Sequence, residues 1–171
     1  QSYGDLGVAL SSKPKAVVIA APAHLHISMA IRAVEAGCHL LIEKPLSTDI
    51  SGVEDLKRRV LEQRLVAQVG YTFRHHPLVA KVKDEIVQGR WGLPLQLTIV
   101  SGQHFPSHRP AYRDIYYAQH GTGGGAVQDG LTHFLDIAQW WLGPIDRLTG
   151  DMKHISLKGV EVEDTVTVLA R

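Results

Sequence analysis

Three short apolar runs recur between residues 16 and 71, each separated from the next by a stretch with helical spacing. Ala16–Ala21 is apolar, partly β-branched and ended by Pro22, and reads as a strand buried on both faces. His24 to Ala36 carries Ile27, Ala30, Ile31 and Val34 on one helical face, with Gly37 as a stop. His39–Ile42 is the next strand, broken after its carboxyl end by Glu43-Lys44-Pro45. Thr48 or Asp49 is placed to cap a helix running to about Gln63, and Leu65–Tyr71 reads as the third strand. Strands alternating with helices across such short links predict a parallel βαβαβ unit with right-handed crossovers.

The pattern changes after Arg74. Pro77 to Gln88 has helical spacing, Pro94 to Val100 alternates like a strand with one wet face, and Ser101 to Gly125 is a long polar loop rich in His, Arg, Tyr and Gly. Ala126 to Leu142 reads as a helix ended by Gly143-Pro144, and Arg147–Leu157 and Val160–Ala170 read as strands. The expected division is a first domain over residues 1–74 and a second over 75–171. The fold class is then α/β: one half of a doubly wound parallel sheet followed by the start of an α+β layer.

Charge and composition narrow the function classes. Lys and Arg number 18 against 17 Asp and Glu, a net charge of +1, so no basic excess points to nucleic acid or an anionic membrane surface. The longest apolar runs are far too short to span a bilayer, and the first residues carry no leader-like apolar segment. With one cysteine, Cys38, no internal disulfide framework can form. These features suit a cytoplasmic protein without membrane or nucleic-acid partners.

Two segments carry chemistry. A lysine just past a buried parallel strand, as Lys44 is, lies where ligands sit in doubly wound sheets and can stabilise developing negative charge; it can equally be an ordinary surface lysine. Gly123-Gly124-Gly125 precedes a helix that places Asp129 and His133 at i and i+4, on one face. Histidine exchanges protons near neutral pH, and a carboxylate can orient it. The plainer alternative is an acidic residue complementing a helix N-terminus beside a satisfied histidine. Gly121-Thr122-Gly123-Gly124-Gly125-Ala126 formally matches G-x-G-x-x-A, but Tyr116 to His120 before it is not the buried strand that a dinucleotide fingerprint requires. The pair His104 and His108 suggests a metal site, yet Phe105-Pro106 is expected to remove the helix that would align it, so no metal is assigned.

Taken in order, several segments resemble the Gfo/Idh/MocA family of NAD(P)-dependent oxidoreductases. They are Val18-Ile19-Ala20-Ala21-Pro22 with His24-Leu25-His26, Glu35-Ala36-Gly37-Cys38-His39, Glu43-Lys44-Pro45, Gly70-Tyr71-Thr72-Phe73-Arg74, Gly123-Gly124-Gly125 with Asp129 and His133, and Val162-Glu163-Asp164-Thr165. The resemblance implies the C-terminal half of a Rossmann domain, followed by an α+β domain that binds substrate and mediates homo-oligomers. It implies hydride transfer between NAD or NADP and a hydroxyl or carbonyl carbon of a sugar, inositol or related polyol. Lys44, Asp129 and His133 take the catalytic positions. Ala21, Pro22, His26, Glu43 and Lys44 take positions along the cofactor, and Arg74 the cofactor–substrate junction. The loop holding His104, Arg109, Tyr112 and Arg113 is expected to read the substrate, the two arginines suiting a carboxylate or phosphate.

The sequence departs from the family at Ala21 and Ala23, which replace a common Thr and Asn. The family's first strand and Gly-rich phosphate loop have no counterpart, so the chain is expected to be an internal fragment short of about two βα units, roughly 60 residues, at its start. Alone it is expected to be inactive, to bind the dinucleotide weakly and to aggregate through the open edge of its first strand. Two other readings remain: a metal-dependent hydrolase or isomerase using the histidines, and a non-catalytic remnant.

Overall fold

The protein is described by a computed structural model covering residues 2–171, and it divides into two compact units. The first extends to Gly70 and includes Gly121–Gly123; the second comprises Tyr71–His120 and Gly124–Arg171.

The first unit is built on strands β1 (Ala16–Ile19), β2 (His39–Ile42) and β3 (Ala67–Val69), parallel and in the order β1-β2-β3. Val17 pairs with Leu40 and Ile19 with Ile42; Ile42 in turn pairs with Val69. Helix α1 (Leu6–Ser11), capped by the Asp5 carboxylate on the Val8 N–H at 3.1 Å, is too short for sequence periodicity to announce it. Helix α2 (His26–Glu35) covers β1 and β2 and meets helix α3 (Val53–Glu62). Their apolar faces close one core of Ile19, Ile27, Ala30, Val34, Leu40, Ile42 and Leu56.

That core covers one face of the sheet. Val18 is 67% exposed and Leu41 42%, so these strands are not buried on both faces as expected. Crossovers of one hand that step in one direction across a sheet put both helices on the same side. Helix α3 also begins later than Thr48 or Asp49. Asp49 instead accepts the Ser51 N–H at 2.6 Å in an Asx turn, and Gly52, at φ +74°, leads into the helix.

In the second unit, helix α4 (Pro77–Val87) meets helix α6 (Thr132–Leu142). A π-turn, Val127–Leu131, precedes α6, where an uninterrupted α-helix was expected. Strands β4 (Leu148–Lys153) and β5 (Thr165–Ala170) pair antiparallel. Beneath their connection Tyr112, Tyr117, Leu157 and Val162 form a second core. Residues 94–100 form no strand: Leu95 is 95% and Val100 93% exposed, and no ladder partner lies among the described residues. The long loop contains helix α5 (Phe105–His108), with Pro106 in its first turn, where a missing N–H breaks no helical bond. The expectation that Pro106 abolishes helix there is therefore wrong.

Candidate functional site

In the first unit, the register of Ile19 with Ile42 brings Ala20–Pro22 and Glu43–Lys44 off the sheet at the same carboxyl edge. Open α/β sheets bind ligands in the crevice outside that edge. The Lys44–Pro45 peptide is cis, Pro45 is buried and Lys44 half-buried. The Lys44 N–H donates to Glu43 Oε2 at 3.2 Å.

His26, expected along the cofactor, is 1% exposed. Its ring nitrogens stand 2.7 Å from the Ala21 carbonyl and 3.0 Å from the Pro45 carbonyl. Both ring nitrogens face backbone carbonyls, so His26 is packed between the chain after β1 and the chain after β2 instead of facing a ligand.

Gly123 closes over Ala23. It sits at φ +101°, and a Cβ there would lie 2.8 Å from the Ala23 Cβ. At the same edge the exposed Glu43 carboxylate lies beside Gly70, where a Cβ would stand 3.4 Å from Oε2. A carboxylate acceptor at the carboxyl edge of a parallel sheet suits the hydroxyl groups of a nucleotide ribose.

In the second unit the π-turn and α6 carry a polar stripe of Asp129, His133 and Asp136, with Trp140 beyond it. π-turns inside helices are frequent at functional sites. Asp129 is 8% exposed and accepts the Tyr116 hydroxyl at 2.9 Å. Tyr116 in turn accepts from Arg109 Nη1 at 2.6 Å. Burial, then the Asp129 charge and hydrogen bond, push the Tyr116 phenol up to about 12, so it donates throughout the neutral range.

His133 is half-buried against aromatic rings. Its centroid lies 4.9 Å from Phe73 and 5.9 Å, edge-on, from Tyr71. Arg74, expected at the cofactor–substrate junction, makes a fork with Asp136, Nε–Oδ2 2.8 Å and Nη2–Oδ1 2.6 Å, and lies 5.4 Å over the Trp140 ring. That fork ties the turn Thr72–His75 to α6.

The expected substrate loop divides. Arg109 belongs to the Asp129 chain. Tyr112 does not face a ligand: it is 2% exposed in the second core, and its hydroxyl donates to the Lys158 carbonyl at 2.5 Å. A large ring in a dry core buries more apolar area than any loop contact would. Arg113 donates Nε to the same carbonyl at 2.9 Å and stacks 4.7 Å from the Tyr112 ring. His104 is exposed and pairs with Ser107 Oγ at 2.6 Å. Among the described residues no group of three or more His, Cys, Asp and Glu side chains is placed to hold a metal ion.

Sequence reasoning assigned no role to three participants. Asp136 follows His133 at i+3, a spacing that could have revealed it. Tyr116 and Glu163 reach the site only through tertiary packing. Glu163 is 6% exposed, accepts the Val127 N–H at 2.8 Å and bonds His120 Nε2.

A family model described as "Oxidoreductase family, NAD-binding Rossmann fold" matches residues 2–71, and one described as "GFO/IDH/MocA C-terminal domain" matches residues 79–171. The chain belongs to the GFO/IDH/MocA family of oxidoreductases. Levoglucosan dehydrogenase of Pseudarthrobacter phenanthrenivorans is 32% identical over 74% of this chain and 33% of its own length. The scyllo-inositol 2-dehydrogenase (NAD(+)) of Bacillus subtilis is 32% identical over 75% of this chain and 35% of its own. A solved levoglucosan dehydrogenase in complex with NADH and levoglucosan is similar at a TM-score of 0.80 and 27% identity, over 99% of this chain and 48% of that one. The chain thus spans about half or less of the length of these relatives.

Proposed function

We propose that the complete protein is an NAD(P)-dependent dehydrogenase acting at a hydroxyl or carbonyl carbon of a sugar, inositol or related polyol. The observation that carries this reading is the pairing on one helix of a buried, oriented carboxylate, Asp129, with a half-buried histidine, His133. It is supported by a lysine at the carboxyl edge of a parallel sheet in a chain of this family. Relatives named for levoglucosan and scyllo-inositol dehydrogenation support the substrate class. The reading extends to a cytoplasmic homo-oligomer; no helix among the described residues is long and apolar enough to cross a membrane, and the near-zero net charge offers no basic surface for nucleic acid.

Ala21, Pro22, Glu43 and Lys44 would hold the nicotinamide half of the cofactor, which when bound supplies a two-electron acceptor or donor. In the oxidation direction an imidazole nitrogen of His133 takes the substrate hydroxyl proton. The Lys44 ammonium, at the carboxyl edge of the first unit's sheet, supplies a donor that stabilises developing negative charge. Asp129, itself held by Tyr116, fixes the orientation of the reacting group. Phe73 and Tyr71 shield the imidazole from water on one side. Arg109 reaches the site through Tyr116, and the Arg74–Asp136 fork holds the turn that carries Phe73.

The test is reduction of NAD or NADP by the purified complete protein against inositols, pyranoses and anhydrosugars. A substrate should be found on which His133→Ala lowers kcat by about 10²–10⁴ while NADH affinity stays within about threefold. Turnover retained in His133→Ala would remove the proposal.

A further inference from the structure

The Val162-Glu163-Asp164-Thr165 segment is not absorbed by the proposed chemistry, yet it holds one of the most buried acidic side chains among the described residues. Glu163 grips the start of the site helix at several points. Its carbonyl accepts the Ala126 N–H at 2.9 Å and its Oε1 accepts the Val127 N–H at 2.8 Å. Its Oε2 bonds His120 Nε2, and the His120 carbonyl accepts from Gln128 Nε2 at 3.0 Å. Gly125 lies against the carboxylate: at φ +95°, a Cβ there would fall 2.4 Å from Oε1. The Gly125 carbonyl then accepts the Asp129 N–H at 3.0 Å. One buried carboxylate therefore sets residues 125–127, and residue 125 sets Asp129.

We propose that Glu163 is a positioning residue, holding the π-turn so that Asp129 and His133 keep their places. The proposal rests on the dehydrogenase reading for its effect on turnover, but its structural part stands apart from it. A helix start without its acceptor frays, and the π-turn has no covalent means of holding its register. Glu163 acts through reach as well as charge, because Val127 must be met by an oxygen at hydrogen-bond distance.

Amide hydrogen exchange and steady-state kinetics on E163A, E163Q and E163D of the complete protein test this. In E163A, exchange at residues 127–131 should rise about tenfold or more while β4, β5 and α4 change by less than about twofold. Turnover of a polyol should fall about tenfold in kcat with KM within about threefold. E163Q keeps an oxygen for Val127 and should retain protection within about threefold; E163D, one methylene shorter, should lose it. Unchanged protection at 127–131 in E163A, an equal loss throughout the second unit, or E163D matching the unaltered protein while E163Q fails would each overturn the proposal. Should E163A not fold, the order of E163Q above E163D decides. If no polyol is oxidised by the unaltered protein, the dehydrogenase reading fails while the exchange pattern still decides the role of Glu163.

Discussion

Asp164→Asn should cost the second unit about 1–3 kcal/mol near neutral pH, by loss of charge-assisted hydrogen bonds. The carboxylate of Asp164 accepts the N–H groups of Ile155, Ser156 and Leu157 at 2.9, 2.7 and 2.6 Å, and the Thr165 hydroxyl at 3.0 Å. It thereby closes the connection between β4 and β5 over the second core. An asparagine oxygen in the Oδ2 position would still serve Ser156 and Leu157. Its NH2 would meet the Ile155 N–H, donor against donor. Ile155 is 63% exposed, so water can replace that bond, which keeps the cost below that of a dry orphan. Burial works against ionisation of Asp164, but the backbone N–H donors of Ser156, Ile155 and Leu157, with Thr165, outweigh it and hold its carboxyl well below the usual carboxylate range. A depressed folded-state value stabilises the fold fully above the unfolded value of about 4 and loses that contribution as pH falls below it. The gap between unaltered protein and Asp164→Asn should therefore be full at about pH 7 and shrink steadily below about pH 4. Urea unfolding at several pH values, followed by fluorescence of Trp91, Trp140 and Trp141, reads it; all three lie in the second unit. A gap that is absent at neutral pH, or that does not narrow in acid, would refute the argument.

Tyr116→Phe removes the donor to Asp129 and the acceptor of Arg109, and should lower kcat by about tenfold in the polyol assay, in the range of one positioned hydrogen-bond donor. Because the Tyr116 phenol is raised to about 12, its contribution to stability is present below its unfolded value near 10 and lost as pH rises through that interval; alkaline unfolding of Tyr116→Phe should lack this component. Asp136→Asn should weaken the Arg74 fork and speed exchange at residues 71–76. It should also move Tyr71, raised by burial and then by the Asp136 charge, toward its ordinary value in an ultraviolet titration. Tyr112→Phe should destabilise by about 1 kcal/mol, the cost of one buried hydroxyl bond, and leave KM unchanged.

The parallel unit was legible because its cause is local. Short apolar runs such as His39–Ile42 and helical stripes such as Ile27, Ala30 and Val34 write the burial pattern directly into the sequence. Boundaries were less legible, because Asx and glycine geometry at Asp49 and Gly52 competes with helical spacing. Residues 94–100 alternate as a strand should, but a ladder needs a partner that alternation alone does not supply. The site shows the same division. Asp129 and His133 share one helix and could be paired by spacing. Tyr116 reaches Asp129 across 13 residues of sequence and Glu163 reaches Val127 across 36, through contacts that packing alone decides. Tyr112 and His26 carry the residue types of a binding site, yet their polar atoms serve backbone carbonyls, which no sequence pattern distinguishes from a ligand.

The central claim is that the Asp129–His133 pair acts on the substrate hydroxyl. A crystal structure of the complete protein with NADH and a bound polyol measures this directly. The account predicts a His133 ring nitrogen within about 3.5 Å of a polyol oxygen, at hydrogen-bond reach for proton transfer. His133 found away from every polyol oxygen, with the polyol held elsewhere, would contradict it.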